Sequence, residues 1–213
     1  MKRAILVILL VLIADQALKV WVKLTFAYQD SITLAGDWAY LFFIENRGMA
    51  FGMEFGGGYG KLILSVFRIF FVMGICWYLG KLVRENADKF FITCVALVIA
   101  GATGNILDSI FYGRLFSSSD YQIATMFPAN GGYAPWLHGK VVDMFYFPLM
   151  EGVFPHWVPV WGDQEYLFFR PVFNLADASI SIGMILMIIF QKRFFSETKS
   201  DAGHETRDAG SVE

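Results

Sequence analysis

Two aspartates set among apolar residues are the side chains of this sequence best placed to do chemistry. Asp177 stands near the start of the apolar segment 175–195, and Asp143 lies in the run Val141-Val142-Asp143-Met144-Phe145. A solvated loop does not normally surround an aspartate with such residues, and an ionisable group in an apolar segment is costly unless it serves a function. We therefore predict that the two carboxyl groups meet in a partly dehydrated site.

Such a pair can hydrolyse a peptide bond by acid–base chemistry. Two carboxylates within about 4 Å of each other repel by roughly 4 kcal/mol at an effective dielectric constant near 20, which corresponds to about three pKa units. One carboxyl group then keeps its proton near neutral pH while the other is ionised, as in aspartic proteases. The ionised group takes a proton from water and the neutral one polarises the scissile carbonyl. Because the pair titrates as a unit, neither role is assigned to one residue.

Two Asn-x-x-Asp pairs place amides beside carboxylates. Asn174 and Asp177 share one face of a helix, and Asn105 and Asp108 repeat the same spacing at the end of another apolar segment. With antiparallel helices the two pairs lie at the same depth. For Asn105 and Asp108, hydrogen bonding between helices or capping is an alternative to lining a site.

Other charged residues fall inside apolar segments. Asp15 and Lys19 are one helical turn apart and can pair, either as a structural ion pair that seats the first helix or as part of the site. Arg68 is expected to extend towards the membrane surface or to pair with an acid. The histidines lack the spacing of metal ligands, so no metal site is predicted.

The elements that must position these residues are membrane helices. Of the 213 residues, 56% are hydrophobic and 17% aromatic, well above an ordinary soluble domain. Four segments of about 21 residues can each cross a bilayer once; they are 4–24, 62–82, 90–110 and 175–195. The first is expected to be a retained helix because no small-residue cleavage site follows it. The net charge of −2 argues against nucleic acid as a partner.

Lysines and arginines orient these segments. They precede the first, lie between the second and third, and follow the fourth, so these regions and both termini are expected in the cytoplasm. The stretches 25–61 and 111–173 are then outside. In the first of these, residues 31–35 and 38–44 are predicted to form two short strands around Gly36-Asp37.

The predicted fold class is an integral membrane all-α protein with four transmembrane helices, a small extracytoplasmic β element and surface loops. Residues 1–195 are expected to form a single polytopic domain. Residues 196–213 are polar and charged, and are predicted to be a disordered cytoplasmic tail.

Five sequence blocks together resemble bacterial lipoprotein signal peptidase, also called signal peptidase II. They are Asp15-Gln16-x-x-Lys19, Asn46-x-Gly48-x-Ala50-Phe51-Gly52, Gly101-Ala102-x-Gly104-Asn105-x-x-Asp108, Val141-Val142-Asp143 and Phe173-Asn174-x-Ala176-Asp177. Each block alone is weak, but they occur in the family's order and cover nearly the whole chain apart from the tail.

The resemblance implies an aspartic endopeptidase of the bacterial cytoplasmic (inner) membrane, active at its outer face. Such enzymes remove signal peptides from prolipoproteins by cutting before the diacylglyceryl-modified cysteine. By motif match, Asp143 and Asp177 take the catalytic positions. The matches also give site-lining residues, Asn46, Gly48, Asn105, Asn174 and Ala176, and supporting residues, Asp15, Lys19 and Asp108. No cofactor is implied; the expected partners are prolipoproteins and membrane lipid, and the enzyme is expected to be a monomer.

Two features depart from the family pattern. Ser109 follows Asp108 where the family usually has an arginine, so Arg114 or Arg47 is a candidate to replace it. The segment 113–139 is longer than the link expected before the Asp143 block, and we interpret it as an extra arm over the substrate cleft.

Two other classes of function are compatible with some of these residues. A proton-coupled transporter or channel is the main alternative, with a relay through Asp15, Lys19, Asp108 and Asp177. Four segments without inverted repeats or broken helices argue against it. A noncatalytic assembly or anchoring protein is the third possibility, and it predicts that both aspartates tolerate substitution.

Overall fold

The computed structural model describes residues 1–47, 57–148, 150–153, 155–157, 159, 165–169 and 172–194. Its helices are α1 (Lys2–Thr25), α2 (Gly57–Arg84), α3 (Lys89–Leu107), α4 (Gly113–Leu115) and α5 (Leu175–Ile189). Its strands are β1 (Ser31–Ala35), β2 (Ala39–Asn46), β3 (Val141–Tyr146), β4 (Met150–Val153), β5 (Glu165–Phe169) and β6 (Val172–Phe173). A π-helical turn, Asp108–Tyr112, joins α3 to α4. The predicted tail and residues 48–56, which include Gly48 and Gly52, lie outside the described residues.

Three of the helical stretches are long and apolar enough to cross a membrane: Lys2–Thr25, Tyr59–Arg84 and Lys89–Leu115. Helix α5 begins at the predicted residue and is apolar, but it has 15 residues, and a turn at Phe190 separates it from the helical residues 191–194. The part of the chain that the structure describes is therefore mostly helical, with three membrane-capable helices. The fourth crossing stays a prediction.

Helix α3 is the centre of the helical part, because α1, α2 and α5 all pack against it. A cluster of buried side chains from α1, α2 and α3, including Ala4, Leu79 and Val95, fills one end. On the α5 side the backbones approach closely, since a side chain at Gly101 would collide with the carbonyl of Ala176. This approach brings the start of α5 against the last turns of α3.

A four-stranded antiparallel sheet, ordered β1-β2-β3-β6, lies at the end of the helical part where α5 begins. The predicted β element is confirmed in β1 and β2, which lie either side of Gly36 in the left-handed region (φ +46°). The sheet is larger than predicted because β3 and β6 join it. The first four residues of β3 are all buried, so its sequence lacks the alternation that marks a half-exposed strand.

The sheet connects directly to the aspartates. Asp143 is the third residue of β3 and lies opposite Ile44 of β2. Phe173 ends β6, opposite Phe145 of β3, and the next residue caps α5. Two segments distant in sequence therefore meet at one edge of the sheet.

The long segment before β3 packs on the sheet. Phe116 and Ala124 are buried there against Phe43 and Val142. The backbone of Tyr28, just after α1, donates to the carbonyl of Ser119. The arm thus has fixed contacts with α1 and the sheet.

Candidate active site

The start of α5 is built by its own sequence. Asn174 is the N-cap, and its Oδ1 accepts from the backbone N–H of Asp177 at 2.9 Å. In return, Oδ2 of Asp177 accepts from the backbone N–H of Asn174 at 3.4 Å, which completes a capping box. The Asn-x-x-Asp spacing therefore fixes both side chains at the helix N-terminus, where backbone N–H groups favour a negative charge.

Two asparagine side chains, in contact with each other, hold the two aspartate carboxyl groups. Nδ2 of Asn174 donates to Oδ1 of Asp143 at 2.6 Å and also lies 3.1 Å from Oδ1 of Asn105. Nδ2 of Asn105 in turn donates to Oδ1 of Asp177 at 2.8 Å. The structure thus brings Asp143, Asp177, Asn105 and Asn174 together, with each carboxylate held by an asparagine.

The environments of the two carboxyl groups differ. Asp143 is 3% exposed, whereas Asp177 is only half-buried. Burial first, and then the negative charge of Asp177, raise the pKa of Asp143 to about 7, against the opposing effect of the Asn174 hydrogen bond. Asp143 is therefore protonated over much of the range below neutral pH.

Lys19 anchors the amide that holds Asp177. Its ammonium is fully buried, 2.9 Å from Asp15 and 2.8 Å from Asp108. It also donates to Oδ1 of Asn105 at 2.9 Å. Because Lys19 can only donate, it forces the oxygen of the Asn105 amide towards itself and turns the NH₂ group towards Asp177. The predicted supporting residues Asp15, Lys19 and Asp108 thus form one cluster behind the asparagines.

Asp15 and Gln16 tie the helices to this cluster. Oδ1 of Asp15 accepts from the backbone N–H of Ala176 at 2.9 Å, so the predicted lining residue Ala176 contributes its backbone. Nε2 of Gln16 donates to Asp108 at 2.9 Å, and Tyr112 donates to the Gln16 oxygen at 3.1 Å. Sequence reasoning gave no role to Gln16, although an amide beside Asp15 in an apolar helix was a usable signal.

The arginine candidates fall in different places. Ser109 donates back to the carbonyl of Asn105 at 3.0 Å and so stays within its own helix. Arg114 is exposed on α4, and Arg47 lies at the end of β2 beside a separate cavity. Arg68 of α2 is half-buried, and its positive charge acts on Asp177. The sequence signal for this placement was an arginine well inside an apolar segment. From that signal, Arg68 was expected to pair with an acid or to extend towards the membrane surface.

The remaining predicted lining residue, Asn46, ends β2. It lies opposite Val141, two residues from Asp143 on the neighbouring strand. Among the described residues, no group of three or more His, Cys, Asp or Glu side chains is arranged to hold a metal ion.

We expect Gly104→Ala to damage the site by displacing Asp15. A methyl group at this position would lie 2.7 Å from Oδ2 of Asp15 and 3.3 Å from the Cβ atom of Ala176. Overpacking of this kind costs about 1–3 kcal/mol. Thermal unfolding should show this loss, whereas Gly80→Ala, where the new methyl group meets nothing within 4 Å, should be neutral or slightly stabilising. Equal melting temperatures for the two variants would contradict the packing described.

Comparison with known proteins gives consistent matches. The family model described as Signal peptidase (SPase) II matches residues 7–193. A protein of Porphyromonas gingivalis (strain ATCC 33277) named lipoprotein signal peptidase is 54% identical over 191 residues, which cover 89% of this chain and 82% of the relative. One of the same name from Amoebophilus asiaticus (strain 5a2) is 38% identical, over 85% of this chain and 74% of the relative.

Two solved structures share the fold. Both are described as bacterial membrane enzymes determined by the in meso method, and each superposes with a TM-score of 0.59. The first is 21% identical and covers 91% of this chain and 89% of its own. The second is 24% identical and covers 89% of this chain and 92% of its own.

Proposed function

This chain belongs to the signal peptidase II family of bacterial membrane proteases, and on that premise we propose that it is an aspartic endopeptidase that removes signal peptides from prolipoproteins. The bond hydrolysed is the one before the cysteine that carries a diacylglyceryl group. The observation that carries the proposal is the shared contact of Asn174 with both acids, since its side-chain NH₂ donates to Asp143 while its backbone donates to Asp177. Asp143 and Asp177 are the catalytic residues in this proposal.

The reaction begins with one proton on the pair. Asp143, buried and protonated, donates a hydrogen bond to the scissile carbonyl oxygen. Asp177, ionised at the helix N-terminus, takes a proton from the attacking water, and the resulting hydroxide adds to the carbonyl carbon while the Asp143 proton passes to the oxygen. When the C–N bond breaks, the amine takes the proton held by Asp177 and the gem-diol returns one to Asp143. The dyad thus ends in its starting state.

The surrounding residues hold the pair in that state. Asn105 donates to the Asp177 carboxylate at 2.8 Å, and the positive charge of Arg68 acts on the same group. Arg68 thereby supplies, in this proposal, the positive charge that the family pattern places at the position of Ser109. Lys19 fixes the Asn105 amide from behind, so it positions the site without touching the reacting atoms.

The lipid on the substrate fits the helices around the dyad. Apolar side chains on α2 and α5, such as Phe67 (64% exposed) and Ile185 (54% exposed), form surfaces suited to acyl chains. A diacylglyceryl group that stays in the bilayer keeps the scissile bond close to the interface. We propose that the substrate reaches the dyad through the lipid phase, that α5 supplies the fourth crossing, and that a monomer is active with both termini in the cytoplasm.

The pH dependence of cleavage is expected to follow Asp143. Since its pKa is raised to about 7, the protonated form is lost above that pH, and kcat/KM should fall about tenfold per pH unit there. The same shift makes the folded state less stable as pH rises from about 4, where the unfolded chain begins to ionise, to about 7. A pH–rate profile measured on a substrate without groups that titrate in this range checks the prediction, and a rate still rising above about pH 8 would contradict it.

The function itself is tested with the purified chain and a synthetic peptide that carries diacylglyceryl-cysteine. We expect cleavage on the amino side of that cysteine and much slower cleavage of the unmodified peptide. Intact lipopeptide after prolonged incubation with folded protein would refute the proposal. Membership of a protease family argues against the transporter alternative, which predicts aspartate-dependent proton flux without proteolysis.

A further inference from the structure

A cavity that we call the outer pocket is lined by residues other than the two aspartates of the dyad. It has a volume of about 440 Å³. The arm forms one side of it, and the residues that flank β2 and β3 form the other. Its lining includes Arg47, Ser118, Asp120, Tyr133 and Lys140.

The outer pocket begins within a short peptide's reach of the dyad. Lys140 precedes the first residue of β3, and Asp143 is the third residue of that strand. At about 3.3 Å per residue the two are about 10 Å apart, which three residues of an extended peptide can span.

The pocket also lies farther along α1 than the dyad does. Lys19 contacts the dyad's asparagine, whereas Lys23, one turn later, pairs with Glu45 beside the pocket wall. That turn corresponds to about 6 Å along the helix axis, towards the sheet. The outer pocket is thus on the side of the dyad away from the body of the apolar helices.

The pocket walls are fixed by buried partners. Glu45, whose side chain is 1% exposed, holds the ammonium of Lys140 at 3.0 Å and is itself paired with the fully buried Lys23. The backbone N–H of Lys140 donates to the hydroxyl of Tyr133 at 2.7 Å. A side chain at Gly132, in the arm, would collide with the backbone of Gly113. Because these contacts do not involve a ligand, the pocket is already formed before one binds.

The charges around the pocket favour an anionic or polar ligand. The lining carries Arg47, Lys140 and one carboxylate, Asp120, whose Oδ2 accepts from the Ser118 hydroxyl at 2.7 Å. Behind the lining, the single carboxylate of Glu45 is shared by Lys140 and Lys23, so cations still outnumber carboxylates among these five residues. Lys61, buried on α2, donates to the carbonyl of Arg47 at 2.8 Å. Lys61 is also close enough to interact with the like charges of Arg47 and Lys140 and with the opposite charge of Asp108. Such a pocket offers hydrogen bonds and charges, so it does not favour the binding of acyl chains.

We propose that the outer pocket binds the polar residues that follow the modified cysteine of the substrate, and that it favours acidic side chains at the second and third residues after that cysteine. This inference rests on the proposed function, which puts the cysteine at the dyad and its lipid among the helices. The chain that continues from the cysteine must leave towards water. The outer pocket lies at the right distance and on the right side to receive it.

The test compares three diacylglyceryl peptides that differ only at those two residues, as Asp-Asp, Asn-Asn or Lys-Lys. We expect kcat/KM of the purified full-length chain to fall in that order, with about a tenfold difference between the extremes at low salt. The difference should shrink as ionic strength rises, because the pocket is open to solvent. Equal values for the three peptides, or a preference for lysine, would overturn the inference.

Variants locate the preference in the pocket. The double variant Arg47→Gln with Lys140→Gln should reduce the Asp-Asp to Lys-Lys ratio to about twofold or less. Lys89→Gln makes the same chemical change at an exposed residue that starts α3, and it should keep the full ratio. An unchanged ratio in the double variant would also overturn the inference. If the wild-type chain cleaves none of the three peptides, the proposed function itself fails.

Discussion

Replacing Asp143 or Asp177 by asparagine is expected to lower kcat/KM for a diacylglyceryl peptide by about 10³-fold or more. Asparagine keeps the shape of aspartate and can still accept a hydrogen bond. It cannot give up or take the proton that the reaction moves. In the proposed mechanism the two acids share one proton, so removing either should be as damaging as removing both.

The two variants should remain folded, which separates chemistry from stability. Asp143→Asn should even stabilise the chain above about pH 7, because the wild-type carboxyl ionises there in a buried site. Asp37→Asn, the same change at an exposed turn residue, serves as the matched control and should retain full activity. Turnover near the wild-type rate in either dyad variant would show that the reaction does not use that acid.

Replacing Lys19 by methionine is expected to destabilise the chain by about 3–5 kcal/mol. Lys19 is fully buried, and its loss would leave Asp15 and Asp108 as uncompensated charges in an apolar helix bundle. It would also release the Asn105 amide that holds Asp177. We therefore expect a large fall in melting temperature together with a loss of activity in the fraction that folds.

The matched control is Lys81→Met, which breaks another pair four residues apart. Lys81 lies 3.7 Å from Glu85, but both side chains are about half exposed, so the change should cost no more than about 0.5 kcal/mol. Thermal unfolding in the same detergent compares the two. A Lys19→Met protein that melts with the control would show that the buried cluster does not hold the helices together.

The constellation of acids was predictable because its spacing has local causes. The Asn-x-x-Asp repeat matches a capping box, and an aspartate surrounded by valines signals burial, so Asn174, Asp177 and Asp143 could be proposed from sequence. The shared hydrogen bonds of Asn174 could not. They depend on the direction of one amide, which is set by how closely α5 packs on α3.

The parts that escaped sequence reasoning are those set by long-range packing. Strand β3 is buried on both faces, so it carried no alternating pattern, and the size of the sheet was underestimated. The sequence of the arm, residues 113–139, has no helix-like or strand-like spacing of apolar residues, because the contacts that hold it are with α1 and the sheet. Arg68 was expected to pair with an acid or to extend towards the membrane surface, but nothing local in the sequence indicates that the acid near it is Asp177. Such placements are decided by which helices pack together.

The most direct test of the shared dyad is a crystal structure with a peptide analogue in which a secondary alcohol replaces the scissile carbonyl. The hydroxyl imitates the oxygen added in the reaction, so we predict that it lies within about 3.2 Å of a carboxyl oxygen of Asp143 and of one of Asp177. A hydroxyl that contacts only one of the two acids, with the other more than a water-mediated distance of about 5.6 Å away, would contradict the account.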